Sequence, residues 1–162
     1  MNAAHLHLLL NHLPVVGTIG CILLLALAAV RRSPELAKVS LGMVVLVALA
    51  GAAAYLTGEP AEESVEHAAG VSEALIERHE EAALVALLLL SAVGALSLVE
   101  LLAFRRRAVP RPLILATLLA ALLPAAAMGY TANLGGQIRH AEIRAGAPVA
   151  GGEQASEAGE RD

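Results

Sequence analysis

Six histidines, His5, His7, His12, His67, His79 and His140, carry most of the chemistry this sequence offers. Neutral imidazole is the commonest protein ligand for haem iron and many other metals. All six lie at or near the ends of apolar segments, and none lies in the C-terminal stretch after Ala145. His12 sits inside the first apolar run beside Asn11, where a polar pair is costly unless it has partners. His5 and His12, seven apart, share a helix face, whereas His7 and His12 fall about 140° apart on a helical wheel. Arg78-His79 and Arg139-His140 each place a guanidinium beside an imidazole, a pairing suited to binding a metal-centred group that also carries carboxylates. Glu63, Glu80, Glu142 and Asn11 are the residues able to orient ligand imidazoles from behind. No HExxH, no serine-histidine-aspartate spacing and no glycine-rich phosphate loop competes with this reading.

The elements that must position these residues are membrane helices. Of 162 residues, 57% are hydrophobic and only 16% charged, with mean hydropathy +0.69. Soluble domains carry about 25% charged residues. Four apolar runs, about 8–30, 39–57, 82–104 and 113–132, approach the ~20 residues a helix needs to cross ~30 Å of hydrocarbon. The third helix is expected to start earlier, at 73, with Ser72 as its N-cap. The expected fold is therefore all-α: an integral-membrane four-helix bundle over residues 1–144, followed by a disordered polar tail at 145–162. The connections after the first and third helices carry three and four Lys or Arg, while Gly58–Glu81 carries eight Glu and one Arg. The positive-inside rule then predicts both termini and the acidic connection outside, in the periplasm of a bacterium. Residues around Glu62–His67 and Gln137–Arg144 are expected to form short interfacial helices on that side.

Smaller features refine the picture. Pro14 is expected to open or kink the first helix, Pro60 to end the second, Pro124 to bend the fourth and Gly135-Gly136 to end it. The N-terminus lacks the basic residues of a cleaved signal, so the first helix is expected to stay as an anchor. Cys21 is alone, which excludes an internal disulfide and a CxxCH haem attachment; it reads as a packing residue. Tyr55 and Tyr130 suit an interfacial belt. Glu100 is expected to pair with Arg105–Arg107 at the inner end of the third helix. The basic residues are confined to short inner loops, so no nucleic-acid partner is expected.

The segment His7-Leu8-Leu9-Leu10-Asn11-His12-Leu13-Pro14 resembles the opening of the DUF2231 group of predicted membrane proteins, with His7, His12 and Pro14 at the matching positions. Leu8 and Leu13 depart from the common form, which has Pro and Phe there. Tyr55–Glu62 and Gly135–His140 also resemble segments of such proteins. The resemblance implies a four-helix membrane domain with a haem or redox role, and brings no settled activity.

Together these features lead to the expectation of a b-type cytochrome-like electron-transfer protein or subunit in the bacterial inner membrane, rather than a stand-alone enzyme. It would bind one or two haem b groups near the periplasmic face. His7, His12, His67, His79 and His140 form the ligand pool, with Arg78 and Arg139 for the propionates. Its partners would be a quinol, a periplasmic carrier or a larger membrane redox complex, and self-association is left open. Two other readings stand beside it: a periplasmic-face copper or zinc protein using histidines with Glu59, Glu63 or Glu80, and a cofactor-free structural subunit of a respiratory or photosynthetic complex.

Overall fold

The protein was analysed as a computed structural model, which describes residues 3–63, 72–140 and 143–144. His67, Glu142 and residues 145–162 lie outside the described residues, as does the side chain of Arg139. The described chain is all-helical: α1 (Ala3–Leu10), α2 (His12–Arg31), α3 (Pro34–Leu56), α4 (Gly58–Glu63), α5 (Glu73–Ala103) and α6 (Arg111–Arg139). Four stretches, Ala4–Arg31, Pro34–Glu63, Glu73–Ala103 and Arg111–Ile138, are long and apolar enough to cross a membrane. The chain is thus a multi-pass membrane protein whose surroundings are a lipid bilayer.

Helix α2 packs on α3, α3 on α5, α5 on α6, and α6 back on α2, closing a four-helix ring. Neighbouring helices run antiparallel. Gly17 abuts Val47, and Gly94 abuts Ala48. Thr117 bonds Glu100 and Arg111 bonds Ala29. One end of the bundle therefore carries His7, His12, His79 and His140, and the other carries the arginines of the α2–α3 and α5–α6 connections.

Each long helix buries a stripe with alternating spacings of about three and four. The stripes run Pro14, Thr18, Cys21, Leu25, Ala28 on α2; Ala86, Leu90, Val93, Ser97, Glu100 on α5; and Ile114, Thr117, Ala121, Pro124, Met128 on α6. This repeat keeps one seam of each helix facing its neighbours. The stripes mix small and weakly polar residues with Leu25, Leu90, Val93, Ile114 and Met128, while Leu23, Val30, Leu56, Leu88 and Leu119 point outward at 61% exposure or more. That outward display is expected where the surroundings are as apolar as the side chains, because association then depends on close packing. Thr18 and Ser40 turn their hydroxyls back to Pro14 O (2.6 Å) and Leu36 O (2.7 Å), so neither is an orphan in the interior.

Several boundaries differ from the sequence expectation. The first span breaks at Asn11, one residue after α1 ends. Pro14 has no N–H to give to Leu10 O, four residues back, so the helical ladder is interrupted just there. Helix α3 starts at Pro34, five residues before its apolar run: Ser33 caps it, its Oγ accepting from Leu36 N at 3.2 Å, and proline fills the first position. Pro60 does not end this span; Thr57 caps α3, and Pro60 lies within the first turn of α4. Helix α6 runs through both Pro124 and Gly135-Gly136 to Arg139, so the glycines do not terminate it and no separate helix begins at Gln137. His140 is its C-cap.

Glu100 is the clearest correction. It does not reach Arg105–Arg107. It is 3% exposed, its Oε1 accepts a hydrogen bond from Thr117 Oγ1 at 2.9 Å, and its Oε2 is buried without a partner, as is Ser97 Oγ one turn earlier. The reason is register: residue 100 continues the stripe through Leu90, Val93 and Ser97, so the side chain enters the bundle. Arg107 instead stacks on Phe104, 4.8 Å from the ring centroid.

Candidate functional site

At the histidine end, two imidazoles from different elements are anchored in the same way. His7 lies on α1 and is half-buried. Its Nδ1 is 3.1 Å from Ala54 O and 3.2 Å from Thr57 Oγ1, at the last turn of α3. His79 lies on α5, also half-buried, and its Nδ1 is 3.0 Å from Thr131 O of α6. A carbonyl oxygen only accepts, so Nδ1 is the donor in both rings. In the neutral ring this leaves the lone pair on Nε2, and neither Nε2 has a hydrogen-bond partner among the described residues.

Backbone room matters for one of the two rings. A Cβ on Gly135 would come within 3.1 Å of His79 Cε1, tighter than ordinary contact, so this glycine is what lets the imidazole lie against α6. A Cβ on Gly58 would sit 3.8 Å from His7 Cε1, an ordinary contact. The glycine pair expected to end α6 thus accommodates a histidine.

The remaining members of the expected ligand pool are placed differently. His12 is exposed and its Nδ1 bonds Leu8 O of the preceding turn at 3.0 Å, so it is held by its own strand of chain rather than by another helix. His140 is exposed at the end of α6, with its backbone N–H bonded to Gly136 O at 2.9 Å. His67 and the Arg139 side chain are outside the described residues. Arg78, beside His79, donates from Nη2 to Tyr130 OH at 3.1 Å, which ties that tyrosine to the histidine end. Of the orienting residues expected from sequence, Asn11 has a buried Oδ1 without a partner, and Glu63 and Glu80 are exposed.

The groups that fix the rings were not recognisable from residue type. They are main-chain carbonyls of Ala54 and Thr131 plus the Thr57 hydroxyl. The only sequence signals were small residues at the helix ends, Thr57-Gly58 and Thr131 ahead of Gly135.

A cavity of about 540 Å³ opens at the same end, lined by Glu62, Glu73, Ala74, Ile76, Glu77 and Glu80. It borders the first turns of α5 without including His7 or His79. Among the described residues no three His, Cys, Asp or Glu side chains converge as a metal-ion site. Compared with known proteins, the chain matches no protein-family model, no curated protein and no solved structure.

Proposed function

We propose that the chain is a membrane-bound b-type cytochrome-like electron-transfer protein or subunit in which His7 and His79 would hold a haem b. One observation carries this reading: each of these imidazoles donates Nδ1–H to a backbone carbonyl of a neighbouring helix and keeps Nε2 uncommitted. Metal-bound histidines are typically held that way, with the second nitrogen fixing tautomer and ring orientation. The donor set also fits haem better than a bare ion. A structural zinc takes about four protein ligands, whereas haem brings its own four nitrogens and needs at most two side chains. Among the described residues no three such side chains converge.

When bound, the haem supplies one-electron transfer. The chain's part is to hold and orient the two rings. Ala54 O and Thr57 Oγ1 fix His7, Thr131 O fixes His79, and Gly135 gives that ring its room. Arg78, steadied by Tyr130, is the described cation available to a propionate at this end. The bundle's apolar exterior keeps the pair at a membrane boundary, where a quinol or a carrier protein can exchange electrons. In this reading the histidine end is periplasmic and the arginine end cytoplasmic, with both termini periplasmic, in a bacterial inner membrane. Segments α1 and α4 then lie at the outer interface. Membership of the DUF2231 group belongs to the same proposal and rests on the His7–Pro14 motif.

The test is haem content of the detergent-purified protein by pyridine haemochrome, in three variants. His7→Ala and His79→Ala are expected to lose haem at least tenfold, and His12→Ala to keep it. Retention in His7→Ala and His79→Ala together with loss in His12→Ala overturns the ligand assignment.

A further inference from the structure

The arginine end holds a second cavity, of about 410 Å³, between the α2–α3 connection and the start of α6. Its lining divides by chemistry: Arg32, Ser33 and Arg111 are polar or charged, while Ala28, Ala29, Ala37, Val109 and Ile114 form apolar walls. Arg111 is prepositioned, since its Nε donates to Ala29 O at 3.1 Å, and its terminal nitrogens carry no further bond among the described residues. Arg32 has no side-chain partner among the described residues either. Carboxylates to neutralise these two are absent from the lining. The cleft also sits at a defined depth, because one membrane-length helix ends at Arg31 and two others begin at Pro34 and Arg111. That is where lipid headgroups meet hydrocarbon.

We propose that this cleft is a binding site for the phosphate headgroup of an anionic phospholipid, with an acyl chain along its alanine-rich wall. Two guanidiniums with no carboxylate in the lining beside them, Arg111 held only through its Nε, match a phosphodiester in charge and in hydrogen-bond geometry. Apolar walls beside them match the rest of an amphiphile, and a soluble anion would leave those walls unused. Basic pockets between membrane helices recognise anionic lipids on this principle. The site is independent of the histidine end and of what that end binds.

The full chain, delipidated in detergent, is titrated separately with phosphatidylglycerol, phosphatidylcholine and inorganic phosphate, and bound lipid is counted by native mass spectrometry. Phosphatidylglycerol is expected to be retained over phosphatidylcholine, with no competition from millimolar phosphate. Arg32→Gln with Arg111→Gln should cut that preference by roughly tenfold, as expected for two interfacial arginines. Replacing Arg105, Arg106 and Arg107, outside the lining, should leave it unchanged. Because Arg111 also pins α2, Arg32→Gln alone serves as the second variant and should lower the preference by itself. Equal retention of both lipids, an equal loss in the Arg105–Arg107 variant, or displacement by inorganic phosphate would each overturn the proposal.

Discussion

His7 and His12 show how much a single residue's meaning depends on what its second nitrogen touches. Both are histidines near the start of the first span, and the sequence alone ranks them equally. In the structure His7 is fastened to α3 and His12 to its own preceding turn. What separates them is their place around the helix, about 140° apart, which sets His7 against the end of α3 and leaves His12 exposed. His79 was legible as a candidate, but Thr131, its anchor, was not, because a main-chain carbonyl has no residue type. Gly135 gives a direct check on the packing of this ring. Gly135→Val is expected to displace His79 and lower haem occupancy several-fold, whereas Gly136→Ala, whose Cβ would meet only Ile143 Cδ1 at 3.5 Å, should not. Glu100 is the other residue-scale case. Thr117→Val removes the donor to a buried carboxyl oxygen and is expected to cost about 1–3 kcal/mol. Glu100→Gln keeps an acceptor for Thr117, so it should change stability by less than about 1 kcal/mol. Thermal unfolding in detergent measures both, and a Glu100→Gln loss larger than that of Thr117→Val contradicts the account.

At the scale of the element, four membrane-length helices were legible because length and apolarity alone define them. Their inward faces were not. Every long helix is apolar all round, so hydrophobic periodicity carries little signal when lipid replaces water outside. Small residues mark the places where helices come closest. Gly94 is the sharpest instance: a Cβ there would lie 2.6 Å from Ala48 Cβ, so α3 and α5 approach as closely as they do only because residue 94 has no side chain. Gly94→Ala is expected to destabilise the bundle by about 1–3 kcal/mol. Gly129, where a Cβ meets nothing within 4 Å, is the internal control, and Gly129→Ala is expected to be neutral or to stabilise by up to about 1 kcal/mol. Equal effects at the two positions would contradict the packing argument. Helix ends followed a further rule: caps and prolines, rather than the limits of apolar runs, set where α3 begins, and α6 continues past Gly135-Gly136 to Arg139.

On the scale of the whole molecule, the bundle separates two chemistries by the thickness of a membrane. Imidazoles and carboxylates gather at one end and most guanidiniums at the other, with the buried Thr18, Ser40, Ser97, Thr117 and Glu100 distributed between them. The proposed orientation predicts that single cysteines at Glu59 and Arg106, introduced with Cys21→Ser, react oppositely with a membrane-impermeant thiol reagent on intact cells: position 59 labelled at once, position 106 only after permeabilisation. The reverse pattern would put the histidine end in the cytoplasm. The central claim, that His7 and His79 would hold a haem b, meets its most direct test in the visible spectrum of the purified protein, oxidised and then dithionite-reduced. A red-shifted Soret band and a sharp α-band on reduction, the mark of low-spin six-coordinate haem b, are the predicted result. A featureless spectrum after expression with ample haem would contradict it.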